Sequence, residues 1–211
     1  PEIAYIVQHS EARAFLAQDE LVERVQPVRA ELPVPAGAYV VFGDTQPADW
    51  QGYEALIAAA SDAPPPVTVD PGDMSALMYT SGTTGKPKGA IRSHEGSTLI
   101  ALATALEMRF TRDDTALLVM PMCHANSLYF SHTFVHLGAT CVIDDRRSFD
   151  PEALLATLSQ QKVTFTSLVP THYIMMLGLP EEGKRRHDVG SVGKLLVSSA
   201  AVRRESKLAT L

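Results

Sequence analysis

Tyr79-Thr80-Ser81-Gly82-Thr83-Thr84-Gly85-Lys86-Pro87-Lys88-Gly89 is the stretch on which the reading of this chain turns. Four hydroxyls (Thr80, Ser81, Thr83, Thr84) and two cations (Lys86, Lys88) crowd around three glycines. Gly82, Gly85 and Gly89 let the backbone bend tightly and approach a ligand closely. Polyphosphate oxygens only accept hydrogen bonds, so amides, hydroxyls and ammonium groups at this density suit a polyphosphate. The spacing excludes the Gly-x4-Gly-Lys-Ser/Thr loop that opens a helix, because two residues separate Gly82 from Gly85 and Pro87 follows Lys86. A proline disfavours helical geometry at the residue before it, so the loop is expected to run into a strand.

Elements predicted outward from this loop alternate. Before it come a helix over 1–9, a strand near 12–16, a helix over 19–25, a strand over 38–42, and a helix over 49–60 with Asp49 near its start. The run Pro64-Pro65-Pro66 reads as a linker, which divides the chain into a first segment, 1–66, and a second, 67–211. Strand 75–80 leads into the loop and 89–93 returns as its hairpin partner. Helix 95–108 carries Leu99, Leu102, Leu106 and Ala103 at helical spacing, which predicts a buried leucine face.

From Thr115 onward the pattern is strand 115–120, helix 126–137, strand 139–143, helix 151–160, strand 163–168, helix 170–177, strand 194–198 and helix 203–211. Asp150 is placed as N-cap, with Pro151 at the favoured first helical position. This order predicts a layered α/β/α domain with a largely parallel sheet. It sets Met120-Pro121, Val169-Pro170 and Ser198-Ser199 at carboxyl ends of strands, where open α/β sheets bind ligands.

Of the 211 residues 45% are apolar and 20% charged, enough for a sizeable core, and the net charge of −6 argues against nucleic acid as a partner. Thr115–Ile143 lacks Asp, Glu, Lys and Arg. Pro121, His124, Asn126, His132, His136 and Gly138 interrupt it, so a buried strand-helix-strand unit is expected, not a membrane span. The basic run Lys184-Arg185-Arg186-His187 reads as solvated. Cys123 and Cys141 lack metal-ligand spacing and are expected to be free thiols in a cytoplasmic protein, with peripheral membrane contact as the alternative. His132 and His136 stand four apart but lack the glutamate of a metalloprotease pair, so no metal site is assigned.

Residues 79–89 closely resemble the phosphate-binding segment of the adenylate-forming superfamily: acyl-CoA synthetases, luciferases and peptide-synthetase adenylation domains. Pro121–Leu128, Ser167–Thr171 and Leu195–Ala201 resemble three further segments of that family, in its order. The resemblance covers nearly the whole chain and implies part of an acyl-CoA synthetase N-terminal domain. The family's adenine turn carries glycine and then proline, where this chain has Ser199 and Val202. The glutamate that helps hold magnesium, a ribose-binding aspartate and a C-terminal catalytic lysine are absent from these residues. An internal piece of the large domain is therefore expected, and bared apolar edges would favour self-association.

The resemblance implies ATP and CoA as substrates, with magnesium, and a fatty or related carboxylic acid as the group activated. Thr80, Ser81, Gly82, Thr83, Thr84, Gly85, Lys86 and Lys88 would hold the β- and γ-phosphates. His124 would stand between the acyl and nucleotide sites. Val169, Pro170, Thr171, Ser199, Ala200 and Ala201 would border the acyl and adenine pockets. Where amino-acid-activating relatives carry an aspartate for the substrate ammonium, the best match is Ala125. An unpaired buried ammonium is costly, which disfavours an amino-acid substrate. Leu128, Tyr129, Val169, Tyr173 and Met176 suit an aliphatic or aromatic acid. The alternatives are a synthetase that passes its adenylate to a carrier protein, and an inert truncated domain that keeps phosphate or acyl binding.

Overall fold

A computed structural model describes residues 2–80 and 85–198. Its contacts divide the chain into two compact units, Pro1–Arg92 and Ser93–Leu211, a division that does not coincide with the proline run at 64–66.

The first unit opens with helix α1 (Glu2–His9) and strand β1 (Phe15–Gln18), followed by the single turn α2 (Val22–Val25). Strand β2 (Tyr39–Phe42) lies parallel to β1, with Phe15 opposite Tyr39 and Gln18 opposite Phe42. A two-residue strand β3 (Gln51–Gly52) extends this sheet, and helix α3 (Tyr53–Ala59) follows. The expected helix start at Asp49 is therefore wrong. Trp50 is buried against Tyr39 and Phe15, and its backbone N–H donates to the Pro47 carbonyl at 3.0 Å, so the chain here makes a turn before the short strand instead of starting a helix. Asp49 pairs with Arg29, whose guanidinium lies 4.1 Å over the Tyr39 ring, and so does not cap a helix. Ala4, Val7, Val22, Val25 and Val41 complete this core.

Strands β4 (Met74–Thr80) and β5 (Lys88–Ser93) form a separate two-stranded sheet. Ser75 Oγ donates to the Arg92 carbonyl at one end and Thr80 Oγ1 to the Lys88 carbonyl at the other, so the pair is antiparallel. The loop thus leaves as a strand, as Pro87 dictates.

The second unit starts with helix α4 (His94–Met108), capped by Ser93 Oγ, which accepts from Gly96 N at 3.0 Å. Its buried face is Ala101 and Ala105, while Leu99, Leu102 and Leu106 are exposed. The predicted leucine face is wrong. The alanines, small and four apart, form the buried strip of the helix, and α4 packs chiefly on the next helix, α5 (Ala125–Leu137).

The unit continues with β6 (Thr115–Leu118), α5, β7 (Thr140–Ile143), α6 (Pro151–Gln160), β8 (Phe165–Leu168), α7 (Pro170–Leu177), α8 (Glu181–Arg185) and β9 (Lys194–Val197). The four strands are all parallel, in the order β7-β6-β8-β9. Asp150 caps α6 as expected, accepting from Glu152 N and Ala153 N.

Alternation along the strands splits the core into two layers. Ala116, Leu118 and Phe165 join Phe110 and Phe134 on the α5 side. Leu117 and Leu168 join Leu154, Leu158 and Tyr173 on the side of α6 and α7. Helices therefore cover both faces of one parallel sheet, as predicted. Short α8 was not foreseen. It carries the start of the basic run, where Lys184 and Arg185 pair with Glu181 and Arg186 with Glu152. The predicted helix 203–211 lies outside the described residues. Among the described residues no helix is long and apolar enough to cross a membrane.

Candidate active site

The candidate residues fall into two constellations, one in each unit. In the first, β4 delivers Thr80 to the neck of the Tyr79–Gly89 loop and β5 begins at Lys88. Gly85 has φ +130°, a backbone state that side-chain-bearing residues rarely adopt. A Cβ at Gly89 would come within 2.8 Å of Leu77 Cδ1 and 3.3 Å of Tyr79 Cζ on the facing strand, so those side chains would have to shift to admit one. Thr80, Gly85, Lys86 and Lys88 are all exposed. Helix α1 packs against this hairpin. Tyr5 OH donates to the Pro87 carbonyl at 3.1 Å, and the Lys86 ammonium stands 5.1 Å from the Tyr5 ring centre. One turn on, His9 Nδ1 and the Tyr79 hydroxyl are 2.7 Å apart. Burial, and then the neighbouring Tyr5, push the Tyr79 hydroxyl's pKa up.

In the second unit, the strand order reverses between β6 and β8. The connection after β6 leads to β7 on one side, and the next returns to β8 on the other. A crevice forms at the carboxyl ends of strands where such a reversal occurs. His124 caps α5 there, its Nδ1 accepting from Asn126 N at 3.2 Å. That bond requires Nδ1 to be unprotonated, which leaves Nε2 as the ring's donor. Asn126 then reaches across the sheet. Its Nδ2 donates to Ser167 Oγ at 2.7 Å and to Ser198 Oγ at 2.8 Å. One amide thus ties the helix after β6 to the carboxyl ends of β8 and β9. Helices α5 and α7 both begin at this edge, so their positive dipole ends favour an anion there.

Beside this tie is a cavity of about 180 Å³ lined by Met120, Pro121, Asp144, Arg146, Phe149 and His172. Arg146 grips Asp144 through two 2.7 Å bonds. Burial opposes ionisation of Asp144, but the Arg146 bonds outweigh it and hold the carboxyl below its ordinary pKa. His172 stacks on Phe149 with ring centres 3.9 Å apart, and burial pulls its pKa down. Among the described residues no three His, Cys, Asp or Glu side chains gather to hold a metal.

The family model for AMP-binding enzymes matches residues 1–209. This chain is an AMP-binding enzyme family member. It is 31% identical over 205 residues to a long-chain-fatty-acid–CoA ligase of Thermus thermophilus, covering 96% of this chain and 37% of that protein. It is 32% identical over 205 residues to a feruloyl-CoA synthase of an Amycolatopsis species, with the same coverage. Among solved structures, the anthranilate CoA ligase AuaEII in complex with anthranoyl-AMP superposes with a TM-score of 0.90 at 23% identity, over 99% of this chain and 40% of that one. The long-chain-fatty-acid-CoA ligase FadD1 of Archaeoglobus fulgidus gives 0.84 at 23% identity, over 98% and 40%. The two structures agree on the fold. The chain spans under two-fifths of the length of the curated relatives named here.

For this AMP-binding enzyme, the expected phosphate-site residues Thr80, Gly85, Lys86 and Lys88 share one loop neck, while Ser81, Gly82, Thr83 and Thr84 lie outside the described residues. Val169 and Pro170 are half-buried at the start of α7 and Thr171 is exposed, whereas Ser199, Ala200 and Ala201 lie outside the described residues. The five apolar candidates for an acyl pocket are divided. Tyr173 and Met176 belong to the core on the α6 side and line a cavity of about 240 Å³ there. Leu128 and Tyr129 ride on α5, which covers the opposite face. Tyr173 OH donates to the Leu196 carbonyl, and burial pushes its pKa up to about 12, so it acts as a core strut. Cys123 and Cys141 are free thiols. Sequence reasoning set Ser198 at a ligand-binding strand end but did not pick out Asn126 and Ser167, whose signal was faint: the first residue of a predicted helix and the penultimate residue of a predicted strand.

Proposed function

We propose that this chain is part of an AMP-forming acid–thiol ligase that activates a fatty or related carboxylic acid with ATP and transfers the acyl group to CoA. The observation that carries this reading is the Tyr79–Gly89 loop on its hairpin, with a left-handed Gly85 and two exposed lysines at its exit. The names of the relatives, all CoA ligases or synthases, agree with it.

In the first half-reaction a carboxylate oxygen attacks the α-phosphorus, the bond to the β-phosphate oxygen breaks, and pyrophosphate leaves with the electron pair. In the second, the CoA sulfur attacks the acyl carbonyl and AMP departs, the thiol proton being released. The protein's part is positioning and charge stabilisation. Thr80, Ser81, Thr83 and Thr84 donate hydroxyl bonds to the β- and γ-phosphates. Lys86 and Lys88 offset the charge that builds on departing pyrophosphate. Asn126 holds the strand ends that border the acid, and His124 presents its Nε2–H at the same edge. Val169, Pro170 and Thr171 border the acyl group, and Ser199, Ala200 and Ala201 the adenine. Ala125 offers no carboxylate to an ammonium, which disfavours amino acids. Since the residues present amount to 37% of a relative's length, they would by themselves bind phosphate without turnover.

Exchange of labelled pyrophosphate into ATP by the full-length protein, across a panel of acids, tests the reading. Lys86→Ala should slow exchange on the order of a hundredfold, the cost of losing one preorganised charge-stabilising group. A folded protein that exchanges with no acid, or a Lys86→Ala variant at the parental rate, would sink it.

A further inference from the structure

Helix α1 ends seventy residues upstream of the loop, yet it meets the loop at three points, two at its exit and one at its entry. Tyr5 OH donates to the Pro87 carbonyl at 3.1 Å, across 82 residues of chain. The face of the same ring has the Lys86 ammonium 5.1 Å from its centre. His9, 5.3 Å from Tyr5 ring to ring, meets the Tyr79 hydroxyl at the loop's entry. Entry and exit of the loop are therefore both fastened to one helical turn.

We infer that Tyr5 is a positioning residue for the phosphate loop, holding the Lys86 ammonium and the Pro87 carbonyl where an arriving polyphosphate needs them. This rests on the polyphosphate reading proposed above and deepens it. A free lysine gives up much rotamer freedom when it engages a ligand. A ring face attracts the ammonium electrostatically without using its hydrogen-bond donors as an acceptor atom would, so the N–H groups stay available to phosphate oxygens. The hydroxyl of the same residue fixes the carbonyl next in line, so the lysine's own backbone is set as well. Ordering these groups before the ligand arrives lowers the cost of binding.

The test is the KM for ATP and the melting temperature of the full-length protein in a set of variants. Tyr5→Leu removes both contacts and should raise the KM about tenfold. Tyr5→Phe keeps the ring and should raise it about threefold. Pentafluorophenylalanine at position 5 has nearly the shape of phenylalanine with a ring face that no longer attracts a cation. It should raise the KM a further two- to fivefold over Tyr5→Phe at an unchanged melting temperature.

In a Lys86→Ala background the difference between the two rings should vanish, because the pair acts as one unit. Equal KM values for the two rings, or a ring effect that persists without Lys86, would overturn the inference and leave the ligase reading standing. Tighter ATP binding in Tyr5→Leu would overturn it too, since it would mean the ring withholds the lysine. If Tyr5→Leu fails to fold, the two aromatic variants decide alone. Absence of exchange in the parent protein with every acid would instead remove the polyphosphate reading itself.

Discussion

The two ends of the four-stranded sheet are finished in different chemistry. At the amino end, buried Asp114 accepts from Thr164 Oγ1 at 2.7 Å, Thr111 N at 2.8 Å and Lys194 Nζ at 3.2 Å. One carboxylate thereby clamps the starts of β6, β8 and β9. At the carboxyl end β8 and β9 are tied to helix α5, which follows β6, through a neutral amide, Asn126, and two hydroxyls. A paired charge held by three donors holds firmly. A neutral tie holds loosely and keeps hydroxyls at the edge where helices α5 and α7 begin. The difference separates an end held by a paired charge from an end held by neutral groups, the end at which the proposed function places its ligands.

Breaking the amino-end clamp should give the largest effect. Asp114→Ala strands the Thr111 amide and the Thr164 hydroxyl, and should cost about 2–3 kcal/mol in denaturant-midpoint measurements. Adenylation by the protein that remains folded should be unchanged. Asn126→Ala should invert the pattern. Ser167 and Ser198, already 3.4 Å apart, can bond each other, so stability should fall by only about 1 kcal/mol. Adenylate formation in the full-length protein should slow on the order of tenfold to a hundredfold as the strand ends drift. Equal losses of stability in the two variants would erase the distinction.

Acid sharpens the comparison with a smaller effect. Burial opposes ionisation of Asp114, but the bonds from Thr164, Thr111 and Lys194 prevail and its carboxyl titrates below its ordinary pKa. A lowered folded-state pKa stabilises above the unfolded value and stops doing so as pH falls through the folded one. The stability gap between the parent and Asp114→Asn should therefore be constant from neutrality down to about pH 4, the ordinary aspartate value. It should close below that. A gap that narrows on raising the pH would contradict the assignment. Asn126→Ala carries no titrating group and should show a gap independent of pH.

What was legible in the sequence follows from range. Parallel strands buried on both faces read as unbroken apolar runs, so Ala116-Leu117-Leu118 stood out. The Tyr79–Gly89 loop was legible because its hydroxyls, glycines and lysines crowd into eleven consecutive positions. Where a small residue did the packing, the apolar pattern misled: α4 shows its leucines to solvent and buries Ala101 and Ala105. Two-residue β3 is too short for any periodicity. The contacts of Asn126 join residues 41 and 72 positions away, and that of Tyr5 reaches 82. No local pattern encodes such distances.

Leu99, Leu102 and Leu106 give α4 a stripe of bare hydrocarbon. Hydrophobic attraction grows with warming and with strongly hydrated salts. Ammonium sulfate and a warm bench are then the conditions under which preparations of these residues should turn cloudy, and a cold, dilute, low-salt buffer the one in which they keep best.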